Sequence, residues 1–259
     1  MATIRQKEYS ETNVYDKSLE RIRYLFSAFD NVVVNFSAGK DSTVVLNLAI
    51  IVAQELNRSL TVNFFDEEAI HPPTIEYAER VRAEHKNINF NWYCLEFKHR
   101  NACSNEEPFW YCWDKAKKAL WVRPMPDQVI TAHPKFKKEM SFQEFSSLLP
   151  NEKDGLTAIM TGVRTQESFR RMKALSTKKN DNYIAREGHV AHAHPIYDWS
   201  SEDVWLAVTK FGWDYNKTYD VMNQTRMHTK FLAQRVCPPF GEEPLRGLWL
   251  YSECFPEMW

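Results

Sequence analysis

Six consecutive residues, Ser37-Ala38-Gly39-Lys40-Asp41-Ser42, bring two hydroxyls, a glycine, an ammonium and a carboxylate into one short segment. They follow a β-branched run, Asn31-Val-Val-Val-Asn-Phe36, and precede Val44, Val45, Leu48, Ile51, Val52 and Leu56, which recur with helical spacing. The pattern predicts a strand, a tight turn and a helix, so unpaired backbone N–H groups and the positive end of the helix dipole meet at the turn. An anion fits there. Gly39 permits close backbone approach, Ser37 and Ser42 offer hydroxyl donors, and Lys40 adds a point charge suited to phosphate. Asp41 would repel bound phosphate unless it capped the helix or held a divalent cation, so magnesium on Asp41 is implied. With one glycine, and Asp41 between Lys40 and Ser42, the segment differs from the Gly-x-x-x-x-Gly-Lys-Ser/Thr loop. The plain alternative is a helix N-terminus capped with no ligand.

A second group lies far along the chain, in Gly162-Val-Arg-Thr-Gln-Glu-Ser-Phe-Arg-Arg171. It follows Thr157-Ala-Ile-Met-Thr161, which reads as a strand, and precedes a helix expected from about Thr165. If Arg164 belongs to the loop and Arg170 and Arg171 to the first helical turns, their guanidinium groups can face the crevice and grip phosphate or sulfate bidentately. Lys173, Lys178 and Lys179 extend the patch, for which a solvated basic helix face is the competing account.

The elements that must position these residues alternate in type. Residues 1–30 read as an amphipathic helical lead-in carrying Leu19, Ile22, Leu25 and Phe26. Leu60-Thr-Val-Asn-Phe-Phe65 repeats the strand signal, Asp66-Glu67-Glu68 ends it, and Pro72-Pro73 opens a helix. A third strand is expected over 88–94. Such alternation implies right-handed βαβ crossovers and a doubly wound, mainly parallel α/β sheet, expected here with five strands. Residues 98–150 break the rhythm with Trp110, Tyr111, Trp113, Trp121 and a basic Lys135-Phe-Lys-Lys138, and read as an aromatic-rich helical insertion. Tyr183-Ile184 and His189-Val190 flank Glu187-Gly188 as a hairpin. Ser200 reads as a helix cap with Asp203 three residues on. The whole is taken as one nucleotide-binding domain, with a C-terminal extension over about 211–259.

The 33 Lys and Arg nearly cancel the 34 Asp and Glu, so the overall field gives no reason to expect a general nucleic-acid or membrane binder. Five cysteines without a Cys-x-x-Cys pair do not describe a secreted disulfide framework. A polar start, Met-Ala-Thr-Ile-Arg-Gln-Lys-Glu, and the lack of a long apolar run suggest a cytoplasmic protein. His189, His192 and His194 invite a zinc reading, yet no carboxylate or cysteine partner has matching spacing. The spacing of Cys94, Cys103, Cys112, Cys237 and Cys254 does not support an iron–sulfur cluster, and buried thiols acting as small hydrophobes are the simpler account. Trp110, Trp113 or Trp121 could stack on a base. The sequence leaves open whether the insertion forms a homodimer face.

The turn resembles the Ser-Gly-Gly-Lys-Asp-Ser signature of the adenine-nucleotide alpha-hydrolase, or ATP pyrophosphatase, superfamily, with Ala38 in place of the first glycine. Gly162, Arg164, Ser168 and Arg171 resemble the Gly-x-Arg-x-x-x-Ser-x-x-Arg element of the phosphoadenosine phosphosulfate (PAPS) reductase family. The segment His194-Pro-Ile-Tyr-Asp-Trp-Ser200, Glu202-Asp203-Val204-Trp205 and Asp214-Tyr-Asn-Lys-Thr-Tyr-Asp220 is similar to that family further downstream. The aromatic insertion looks more like a phage and enterobacterial subgroup of PAPS sulfotransferases or prophage co-activators. The resemblance implies binding of ATP, PAPS or adenosine phosphosulfate (APS), and it places a ribose- or base-contacting acid at Asp66. A solvated acidic turn would account equally for Glu67 and Glu68.

Three activities follow from these residues. In the first, a nucleophile attacks the α-phosphorus of ATP and pyrophosphate leaves, with Lys40 and the loop amides on the leaving phosphates and Arg164 and Arg170 on the incoming oxyanion. In the second, PAPS or APS is reduced, or its sulfur transferred, through Cys254 in Glu253-Cys254, a dipeptide the family's C-terminal motif shares, although Phe255 and Pro256 do not match it. In the third, the chain senses nucleotide without catalysis and acts on a protein or nucleic-acid partner.

Overall fold

Val32, Val34 and Phe36 are buried along one face of β1 (Asn31–Phe36), while Val33 and Asn35 point to the other. The computed structural model describes residues 11–101, 103–176, 183–224, 236 and 252–256, without the side chains of Phe169, Arg170, Ala174 and Ser176. The lead-in helix α1 (Val14–Ala28) is capped by the Asn13 side chain, which accepts from Asp16 N. Then α2 (Lys40–Glu55), β2 (Thr61–Phe65), α3 (Pro72–Glu84) and β3 (Asn89–Tyr93) complete two βαβ units. β6 (Thr157–Met160) lies parallel on the other side of β1, and the hairpin β7 (Ile184–Glu187) and β8 (Val190–Ala193) closes the sheet.

The strand order is β3-β2-β1-β6-β8-β7, parallel except for β7. The doubly wound α/β expectation holds. Among the described residues the sheet has six strands where five were expected, because β8 pairs with β6 and carries its partner β7 into the same sheet. The hairpin turns at Gly188, which has φ +59°.

Each face of the sheet has its own cover. Phe36 meets Tyr77 of α3 edge-on with ring centroids 5.7 Å apart, on the side where α2 and α3 pack. On the opposite side Phe65 stacks on Phe142 at 5.8 Å, and Tyr93 meets Phe145 at 5.5 Å. Both phenylalanines belong to α4 (Phe142–Leu148) of the insertion. The insertion is less helical than expected. It begins with an antiparallel ribbon of β4 (Lys98–Arg100) and β5 (Phe109–Tyr111), makes a 3-10 turn over Lys115–Leu120, and has α4 as its α-helix. Pro108, Pro124, Pro126 and Pro134 remove amide donors along it, and the aromatic triplet Phe109–Tyr111 favours a strand.

The helix expected from about Thr165 also starts later. A 3-10 turn over Thr165–Glu167 comes first, and α5 (Phe169–Ser176) follows. Beyond β8, Ser200 caps α6 (Ser201–Phe211), accepting from Asp203 N, and α7 (Thr218–Gln224) packs on α3. The turns after β1, β2 and β6 all open at the carboxyl edge of the sheet, where open α/β folds bind ligands.

Candidate nucleotide site

At that edge lies a cavity of about 440 Å³. Its walls come from the turn after β1 (Ser37, Gly39, Asp41, Ser42), the loop after β6 (Thr161, Gly162, Glu167), Arg171 of α5 and the end of β2 (Phe65, Glu67). Helix α4 closes it with Phe142, Gln143, Ser146 and Ser147. Thus the two segments singled out in the sequence, 123 residues apart at Asp41 and Arg164, meet in space.

Ala38 holds the turn in the left-handed region, with φ +56°, where the superfamily signature has glycine. That costs a residue bearing a Cβ about 1 kcal/mol. Asn216 Nδ2 donates to Ala38 O at 3.0 Å and to Thr74 Oγ1 at 2.8 Å, tying the turn to α3. The first helical bond runs from Thr43 N to Gly39 O, so the amides of Asp41 and Ser42 precede the helical ladder. Ser37 Oγ and Ser42 Oγ are 3.1 Å apart, and Ser42 Oγ donates to Gly39 O. Tyr219, which lies in the family-like segment Asp214–Asp220 but was not expected at the site, lines the cavity and accepts from Lys40 N at 3.0 Å.

Three residues expected to face the ligand are placed otherwise. Lys40 is 1% exposed and Arg164 is 2% exposed, and neither lines the cavity. Lys40 Nζ donates to Asp41 Oδ2 at 2.9 Å, and Arg164 Nε donates to Asp41 Oδ1 at 2.5 Å. Buried cations need a carboxylate partner, and Asp41 supplies it to both. Arg164 also donates to Trp199 O and Ser201 Oγ, so it braces the loop after β6 against the start of α6. Each Asp41 oxygen already accepts from a cation, and no group of three or more His, Cys, Asp or Glu among the described residues could hold a metal by itself, so a magnesium ion at Asp41 would take its remaining ligands from the nucleotide's phosphates and water.

Asp66 is the third. It is wholly buried, accepts from Trp92 Nε1 at 2.9 Å and pairs with Arg123, while Glu68 accepts from Trp113 N and Val122 N. These two acids fasten the insertion to the end of β2. Glu67 is the one that lines the cavity. Burial and the neighbouring Asp66 push its carboxyl up to about 8. His99 Nδ1 lies 3.5 Å from Glu67 Oε2, and burial lowers this imidazole to about 4.

The remaining predicted residues divide between wall and scaffold. Gly162 approaches the first turn of α2 so closely that a Cβ would sit 2.7 Å from both Asp41 C and Ser42 N. Arg171 lines the cavity and pairs with Glu167 one turn earlier, and Ser168 Oγ accepts from Arg171 N. Arg170 lies in the first turn of α5, but its side chain is outside the described residues, as are Lys178, Lys179 and Cys237. His192 Nε2 is 3.3 Å from Ser147 Oγ, His194 Nδ1 is 2.7 Å from Thr161 Oγ1, and His189 Nε2 is 3.4 Å from Pro150 O. Cys94 and Cys112 are buried thiols, whereas Cys254 is half-buried beside Phe255, whose ring packs on His71. Asn35 and Ser146 went unrecognised, although an asparagine inside a β-branched run was a signal.

A mainly parallel α/β sheet with a helix-initiating turn after its first strand, open at the carboxyl edge, defines a nucleotide-binding class of fold. Residues 31–225 match the phosphoadenosine phosphosulfate reductase domain, and the chain belongs to that family. It is 30% identical over 264 residues to the uncharacterized protein YbdN of Escherichia coli (strain K12), a match covering 95% of this chain and 64% of that protein. The chain therefore spans about 64% of the length of that curated relative. Among solved structures, a PAPS reductase from Candida auris in a phosphate complex is similar over 83% of this chain and 93% of its own, with 17% identity and a TM-score of 0.45. An FMN adenylyltransferase from Candida glabrata in complex with ATP is similar over 84% of this chain and 63% of its own, with 12% identity and a TM-score of 0.48. The family assignment rests on the sequence match.

Proposed function

We propose that the chain binds an adenine nucleotide in the carboxyl-edge cavity and acts at its α-phosphate with release of pyrophosphate. One observation carries the reading: a single cavity joins a polar end, at the turn after β1 and Gly162, to an aromatic end, at Phe65 and Phe142. Its volume is in the range of small-molecule sites. The charged tail lies along the Asp41 and Ser42 amides, the Ser37 and Ser42 hydroxyls and Arg171. Lys40, Asp41 and Arg164 form a trio with one net positive charge directly behind that turn, so they hold its shape and favour an anion in front of it.

In the reaction an acceptor forms a bond to the α-phosphorus, the bond to the bridging oxygen breaks, and pyrophosphate leaves with the electron pair. Donors placed beforehand on the leaving phosphates lower that barrier. A sulfur route through Cys254 is less well supported, because burial and then Glu253 raise its thiol and oppose formation of a thiolate. A cytoplasmic site, where nucleotide is abundant and thiols stay reduced, belongs to the same reading, as does a place in the enterobacterial and phage subgroup.

The test is to incubate the purified protein with ATP and magnesium, and separately with PAPS, and to measure pyrophosphate, adenosine bisphosphate and sulfite. Pyrophosphate from ATP, retained in Cys254→Ser, is the expected result. Sulfite from PAPS, abolished in Cys254→Ser, would overturn it in favour of reduction. Nucleotide affinity without any product would favour the sensing role toward a protein or nucleic-acid partner.

A further inference from the structure

Asn35 belongs to a row of polar side chains running across the sheet beneath α4. Strand register places Asn35 beside Asn63, and Asn63 beside Asn91, whose Nδ2 donates to Asn63 Oδ1 at 3.1 Å. On the other side Thr161 follows Met160, the partner of Val34, and its hydroxyl meets His194. Asn35 and Thr161 are the members of this row that reach the cavity.

Asn35 Nδ2 donates to Ser146 Oγ at 2.7 Å, which fixes the amide against α4. Its Oδ1 is buried and accepts no hydrogen bond among the described residues. A buried carbonyl oxygen without a donor is costly and uncommon in folded proteins, and Asn35, the residue that carries it, lines a ligand-sized cavity. The same stretch of wall carries the stacked pair Phe65 and Phe142, apolar surface suited to a flat ring. Adenine presents ring nitrogens that only accept, and its exocyclic amine is its hydrogen-bond donor.

We infer that Asn35 selects the nucleotide by accepting a hydrogen bond from the 6-amino group of adenine, with Ser146 as the positioning residue that holds the amide in place. This rests on the nucleotide reading above. A purine with no donor at that edge leaves the Asn35 carbonyl unpaired in the bound state, and specificity of this kind is large because the mismatch is buried.

The experiment is equilibrium titration of the full chain with ATP and with purine riboside triphosphate, which lacks the 6-amino group. The expected result is affinity for ATP at least about tenfold higher. In Asn35→Ala the two nucleotides should bind alike. Ser146→Ala keeps the carbonyl and should retain some preference, which provides a reading if Asn35→Ala does not fold. Equal affinity of the wild type for both nucleotides overturns the assignment and leaves the nucleotide reading intact. So does a loss confined to 1-deaza-ATP, which retains the amine and lacks a ring nitrogen. Binding of no nucleotide at all overturns both.

Discussion

At Gly162 the loop after β6 touches the first turn of α2 through backbone alone. A methyl group there would meet Asp41 C and Ser42 N at 2.7 Å, and backbone atoms cannot swing aside as a side chain can. Gly162→Ala is therefore expected to cost about 1–3 kcal/mol and to weaken ATP binding by spreading the two loops. Chemical denaturation and nucleotide titration check this, and unchanged values would show that the contact is not needed. Glu67 gives a second prediction at the same scale. Its carboxyl holds a proton up to about 8 in the folded chain against 4.5 ordinarily, so between those values the folded chain binds more protons and stability falls as pH rises. Burial lowers His71 to about 3 and His99 to about 4, so their contribution rises with pH and is complete by about 6.5. From pH 6.5 to 8 Glu67 alone of these three titrates, and the melting temperature should fall across that interval. Glu67→Gln should flatten the decline, and a slope unchanged by the substitution would contradict the assignment. Gly162 stood out beforehand as the start of the second segment, whereas the part of Glu67 was not legible. Consecutive acids after a strand do not reveal which carboxylate enters a cavity, because the backbone turns sharply there and Glu68 itself lies at φ +60°.

The insertion is held to the sheet by the acids that flank Glu67. Glu68 receives the Trp113 and Val122 amides, Asp66 O receives Trp113 Nε1, and Arg123 donates to Glu68 O and to the Asp66 carboxylate. Because α4 roofs the cavity from the same insertion, this attachment also bears on the ligand. Removing one carboxylate should loosen it. Glu68→Ala is expected to lower stability by about 2 kcal/mol, since hydrogen bonds to a charged acceptor are the stronger kind. Local opening should also appear as protease cleavage within residues 109–123 below the global transition. Cleavage and stability both unchanged would show that the ribbon and its turn stay attached by packing alone. At this scale the sequence was read well where a single rule decides. Ser200 caps its helix, Pro72-Pro73 opens α3 and Gly188 turns the hairpin. It was read poorly over residues 98–150, where prolines and aromatic residues carry no single period and pairing of β4 with β5 depends on tertiary contact.

For the molecule as a whole, the sheet makes a site from segments that are remote along the chain. The turn after β1, the loop after β6 and the side chains of Asn216 and Tyr219 converge because β1 is central and its neighbours are parallel, so their carboxyl ends open on one side. Among the described residues no helix is long and apolar enough to cross a membrane. The sequence by itself determined the alternation of strands and helices, the strand–turn–helix around Ser37 to Ser42 and the family, because hydrophobic period, capping and local motif are properties of neighbouring residues. Only the tertiary structure decided that Lys40 and Arg164 turn away from the cavity to share Asp41, that Asp66 anchors the insertion while Glu67 lines the cavity, and that Asn35 lies beneath α4. Each of those depends on which side chains burial forces to find a partner, and partners distant in sequence are found only when the chain has folded.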